Sequence, residues 1–169
     1  KILDGKDLME LIETVTASTT QRVCEEFCYG DADEWDLEGL EKWLTELTGK
    51  TDLPEFTEDT KFEQLEEDVT AFVQKTFDEK TQKLGEEVMR ELAAQVMLRV
   101  IDTRWMAYLQ EMDYLKTGIG LRGFGQRDPL VEYKTEAYEA FTLLVNTMYE
   151  DFLRTILRLE LVNRPRQNT

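Results

Sequence analysis

Between Glu86 and Leu159, apolar side chains recur at helical spacing on both sides of a glycine-rich segment, Gly118 to Asp128, and this pattern constrains the fold more than any other feature. Before the segment, Ile101, Trp105, Tyr108, Met112, Leu115 and Ile119 step by fours and threes, and Val88, Leu92, Val96 and Val100 carry a stripe back towards Glu86. After it, Tyr133, Ala137, Phe141, Leu144, Met148, Phe152, Ile156 and Leu159 do the same. Asp128 followed by Pro129 is a helix-start signal, a capping carboxylate and then a residue whose missing N–H costs nothing in the first turn. Two helices of about 32 residues each, roughly 48 Å long at 1.5 Å per residue, predict an antiparallel hairpin when the connection is short.

The first of these helices, read as Glu86 to Thr117, also carries Met89, Met97, Leu98 and Met106 away from its main stripe. A hairpin buries one stripe per helix, so part of this surface needs another cover. The candidates are the preceding module and a neighbouring segment of a longer parent, the latter in keeping with a chain that starts at Lys1 and not at Met.

That preceding module also reads as helical. Leu8, Leu11, Val15, Val23 and Phe27 share one face of a first helix whose middle, Thr14 to Thr20, is rich in mediocre helix formers. Leu37, Leu40, Leu44 and Leu47 mark a short second helix, capped by Asp36 and ended by Gly49. Pro54 lies in a connector, Thr60 and Glu63 fit a capping box, and Phe62, Leu65, Val69, Phe72 and Thr76 line a third helix ending near Gly85. No segment alternates with period two. The expected fold is therefore all-α, a small acidic helical module followed by a long antiparallel hairpin.

Charge and missing residue types narrow the chemistry. The net charge of −16 is uneven: Lys1 to Gly85 holds 9 basic and 23 acidic residues, net −14, whereas Glu86 to Thr169 holds 11 and 13, net −2. Such a surface repels phosphate backbones, so no nucleic-acid partner is expected. Histidine is absent, which removes the usual acid–base group at neutral pH and the commonest metal ligand. Cys24 and Cys28 lie one helical turn apart with no further Cys or His to complete a zinc site, so they read as ordinary thiols in a reducing, cytosolic setting. No run approaches the roughly 20 apolar residues of a membrane span, and no signal-peptide pattern occurs.

Four of the nine glycines, Gly118, Gly120, Gly123 and Gly125, fall within eight residues, and the first three match part of G-x-G-x-x-G. A dinucleotide site needs that motif between a strand and a helix start, whereas here it follows a long helix. No Walker sequence occurs, so neither a cofactor nor catalysis is expected of this chain. Two readings of the loop remain. Glycines can simply end a helix at Gly118 and turn the chain. Alternatively, Phe124, set among glycines with Arg122 and Arg127 nearby and no acidic residue from Lys116 to Arg127, can touch a varied partner through its ring and the flanking cations.

The run from Ile101 to Pro129 closely resembles the C-terminal part of SecA, the family of bacterial preprotein translocase motors. The specific portions are Asp102-x-x-Trp105, Met112-Asp113-Tyr114-Leu115, Leu121-Arg122 through Gln126-x-Asp128-Pro129, and Glu132-Tyr133-Lys134; Trp35-Asp36 and Leu53-Pro54 extend the likeness into the first half. The resemblance implies a helical wing domain over residues 1–84, with the end of a long scaffold helix at its start, the two-helix finger of the helical scaffold over 85–161, and a tail over 162–169. It implies a finger whose tip, Arg122, Gly123, Phe124, Gln126 and Arg127, contacts the translocating preprotein, and which meets the SecY channel and restrains the motor. Phe124 stands where the family commonly has Tyr, keeping the ring without the hydroxyl. ATP and magnesium are expected only in motor domains outside this sequence. Those domains and the long scaffold helix are the other expected partners, with a cytoplasmic location peripheral to the inner membrane. The uncovered apolar face implies self-association of the isolated chain. The rival reading is a free-standing helical scaffold that binds a partner helix through that face.

Overall fold

The computed structural model describes residues 5–57, 59–122 and 128–160, leaving out the side chains of Leu121 and Arg122. The described residues form five α-helices and no strand: α1 (Gly5–Phe27), α2 (Leu37–Thr48), α3 (Phe62–Leu84), α4 (Glu86–Arg122) and α5 (Pro129–Arg158), with a 3-10 turn at Ala32–Glu34. The all-α architecture matches the periodicity. Contacts gather into two compact units, Lys1–Ala94 with Leu153–Thr169, and Gln95–Phe152.

In the first unit α1 packs on α3 and α2. Ile12, Val15, Val23, Leu40, Leu44, Leu47, Leu65, Val69, Val73 and Phe77 are buried to within 1%, and each such aliphatic or aromatic side chain contributes about 1.5–3 kcal/mol of transfer free energy. Met89 and Ala93 of α4 and Leu153, Ile156 and Leu157 of α5 are buried in the same unit. Thus Met89 belongs to a core instead of the surplus surface. Arg158 donates from Nη1 to the Glu46 carbonyl, 3.2 Å away, tying the end of α5 to the last turns of α2.

The helix ends follow local chemistry. Asp36 accepts the Gly39 N–H at 2.9 Å and so caps α2, while Gly49 stops it at φ 73, a conformation that costs other residues a Cβ clash. Gly85 ends α3 at φ 89. The capping box expected at Thr60 and Glu63 does not form. Lys61 holds the cap position without a side-chain bond, and the Thr60 hydroxyl accepts the Thr57 N–H at 3.3 Å within a local turn.

In the second unit, the connection starts later than the glycines suggest. Gly118 and Gly120 lie inside α4, which is 37 residues long and not about 32; α5 has 30. A helical glycine costs about 1 kcal/mol relative to alanine, which a long helix tolerates. Arg104 of α4 donates from Nε to Asp151 Oδ2 of α5 at 2.6 Å, and its Nη2 lies 2.5 Å from the same oxygen in an ion pair. Higher up, the Tyr108 ring sits 5.3 Å from Trp105 and edge-on to Phe141 at 6.2 Å, and Leu144 and Ile119 are buried.

Candidate functional site

The connection between α4 and α5 is the candidate site, and its flanks are well defined. Asp128 caps α5 by accepting the Leu130 N–H at 3.0 Å, and its own carbonyl accepts the Glu132 N–H at 3.2 Å. Leu130 and Val131 beside it are more than half exposed, whereas Ile119 on the α4 side is buried. Of the expected tip residues, Arg122 ends α4 as backbone; its side chain and Gly123, Phe124, Gln126 and Arg127 lie outside the described residues. Lys116, Arg122 and Arg127 make the stretch basic, and the start of α5 adds the positive end of a helix dipole. Because Gly118 and Gly120 are helical, the first half of the G-x-G-x-x-G spacing is part of the α4 ladder, with no strand-to-helix turn in which to cradle a phosphate.

Elsewhere the chemistry is quiet. Cys24 and Cys28 are free and buried. Burial, and then the neighbouring Cys28, push the Cys24 thiol up to about 12, so it stays protonated and unreactive at neutral pH. No group of three or more metal-ligating side chains occurs among the described residues. No helix among them is long and apolar enough to cross a membrane. A groove of about 500 Å³ runs between α1 and α3, lined by Glu13, Ala17, Glu66, Glu67, Thr70 and Ala71 among others. A smaller one, about 140 Å³, lies between α4 and α5 in the second unit, lined by Arg104, Ala107, Tyr108 and Glu111 against Ala140, Leu143, Leu144 and Thr147.

The outer face of α4 departs from the expected stripe. Ile101 and Trp105 are 39% and 43% exposed instead of buried against α5, and Leu98, Met106 and Leu109 are 64%, 66% and 48% exposed. The Arg104–Asp151 pair was not legible in advance. Opposite charges 47 residues apart carry meaning only once the register of the two helices is known.

Residues 1–160 match the model of the SecA wing and scaffold domain, and the chain belongs to that family. Its relatives include the protein translocase subunit SecA of Syntrophomonas wolfei, 36% identical over 99% of this chain and 21% of the relative. Those of Halothermothrix orenii and Cutibacterium acnes are 36% and 37% identical, over 97% and 98% of this chain and 20% and 18% of theirs. The chain spans about a fifth of the length of these curated relatives.

Proposed function

We propose that this chain is a non-catalytic, polypeptide-handling part of a SecA-type protein translocase. Residues 1–84 serve as the wing, 85–161 as the two-helix finger and 162–169 as a tail. The observation that carries the reading is a long helical hairpin, closed by a basic, glycine-rich connection, within a chain matched to the SecA wing and scaffold domain over residues 1–160. A pair of helices about 45 Å long or more is a stiff arm. An aromatic ring among glycines at its end can meet side chains of any sequence, because ring and guanidinium contacts demand little of the partner. On this reading Arg122, Gly123, Phe124, Gln126 and Arg127 touch the preprotein as it enters the SecY channel. The shaft meets the long scaffold helix and motor domains of the parent and restrains them. ATP and magnesium act there and not in this chain, whose place is cytoplasmic and peripheral to the inner membrane. Translocation assays of the full-length protein test it: Phe124→Ala should slow transport several-fold and Phe124→Tyr should preserve it, while equal rates for all three would count against a tip role.

The exposure of Leu98 and Met106 favours a second reading, in which the hairpin serves chiefly to bind a partner helix along that side. It predicts that Met106→Asp abolishes partner binding and that Phe124→Ala is silent.

A further inference from the structure

Gly85 is the single residue between α3 and α4, and a lone glycine between two long helices reads first as a swivel. Its bonding gives it another role. Its N–H donates to the Thr81 carbonyl at 2.8 Å and closes α3, while its own carbonyl accepts the Met89 N–H at 3.0 Å and opens α4. Both backbone groups are committed, so a turn about either dihedral angle breaks a helix end. At φ 89 and ψ 148 the residue sits at the edge of a region that is essentially reserved for glycine. No atom of the described residues lies within 4 Å of where a Cβ would stand, so the backbone alone demands glycine here.

The chain is anchored on both sides of this residue. Phe77, two turns before it on α3, is fully buried. After it, Met89 and Ala93 lie one turn apart on α4 and are 1% and 0% exposed, whereas the adjoining Val88 is 41% exposed. The start of α4 therefore has one inward face. Residues 86–94 fall in the compact unit of α1–α3, and so does the chain from Leu153 onwards. There Leu153, Ile156 and Leu157 are buried, and Arg158 reaches the Glu46 carbonyl of α2. A swivel at Gly85 would draw Met89 and Ala93 into water, against the hydrophobic effect that holds them.

We propose that Gly85 is a fixed elbow, and that the roots of both hairpin helices, residues 86–94 and 153–158, open and close with the core of α1–α3 as one cooperative unit. The folding unit of the wing then runs past residue 84 and includes the roots of the finger. A load on the hairpin reaches the wing core through these roots and is not released at Gly85. The inference stands independently of what the tip touches.

The test is thiol alkylation of the 169-residue chain in rising urea, with each site read separately by peptide mass mapping. Cys24, fully buried in α1, is a built-in reporter of the wing core. In a Met89→Cys variant, position 89 should be alkylated at the same rate as Cys24 in the same molecules at every urea concentration, because one opening exposes both. Val88→Cys, in contrast, should react promptly without urea. Alkylation of position 89 more than about threefold faster than Cys24 below the unfolding midpoint would overturn the proposal, since the root would then open without the core. If Met89→Cys loses helicity by circular dichroism, Ala93→Cys, a smaller change at an equally buried site, is read by the same criterion. Gly85→Ala tests the elbow itself: it should speed Cys24 alkylation at a fixed urea concentration by about tenfold, the scale of strain for a side chain in this backbone conformation. Unchanged Cys24 alkylation in Gly85→Ala would overturn the elbow.

Discussion

The hydroxyls of Thr20 and Thr70 meet 2.7 Å apart across the seam between α1 and α3. Thr20 also bonds back to the Thr16 carbonyl at 2.9 Å, so its side chain is fully occupied although it is buried. Its neighbours are not so well served. Thr16 and Thr19 are 1% exposed, and their hydroxyls have no hydrogen-bond partner among the described residues. A buried hydroxyl without a partner forfeits about 1–3 kcal/mol of desolvation. Thr16→Val or Thr19→Val, which keeps the shape and removes the hydroxyl, should therefore raise stability by about 1 kcal/mol, or about 2–4 °C in Tm for a domain of this size. Thr20→Val should lower it. Thermal melts by circular dichroism separate these outcomes, and destabilisation in all three would mean that the seam is better satisfied than its geometry implies.

The Cys24 thiol supplies a pH signature. Its value rises from 9.0 to about 12 on folding, first through burial and then through Cys28. Between those limits the folded chain holds a proton that the unfolded chain has released, so stability must fall as pH rises. The contribution is complete below about 9 and is lost progressively towards 12. Denaturant titrations across that window should show the decline, and Cys24→Ala should flatten part of it. Alkylation of Cys24 at pH 8 should require unfolding.

Gly118 and Gly120 test where α4 ends. Both are helical, and no atom of the described residues lies within 4 Å of where their Cβ would stand, so Gly118→Ala and Gly120→Ala should each stabilise the helix by about 0.5–1 kcal/mol and raise helicity. Had either glycine been a left-handed helix stop, as Gly49 is at φ 73, alanine would destabilise instead. Helicity and urea midpoints of the two variants give the sign directly.

Much of the architecture was legible because period and punctuation agreed. Asp36 and Gly49 bracket α2 as their residue types require, and Asp128–Pro129 starts α5 where expected. The misreadings share a cause: a local signal has more than one physical use. Thr60 fits a capping box, yet its hydroxyl is taken by the Thr57 N–H. Gly118 fits a helix stop, yet a glycine also propagates a helix at modest cost. The stripe expected at the hairpin seam holds at Tyr108, Met112 and Leu115, which are half-buried, and at Ile119, which is buried, but its members Ile101 and Trp105 are exposed. Which residues of a stripe are covered depends on contacts distant in sequence, and period alone does not give them. The tip residues Arg122, Gly123, Phe124, Gln126 and Arg127 stand on residue type and resemblance.

The most direct test of the central claim is site-specific photocross-linking from position 124 in the full-length protein, engaged with a preprotein stalled during transport. The account predicts a strong adduct between position 124 and the preprotein, with weaker ones from outward shaft positions such as Tyr138, which is 73% exposed. An adduct from Tyr138 but none from position 124 would contradict it.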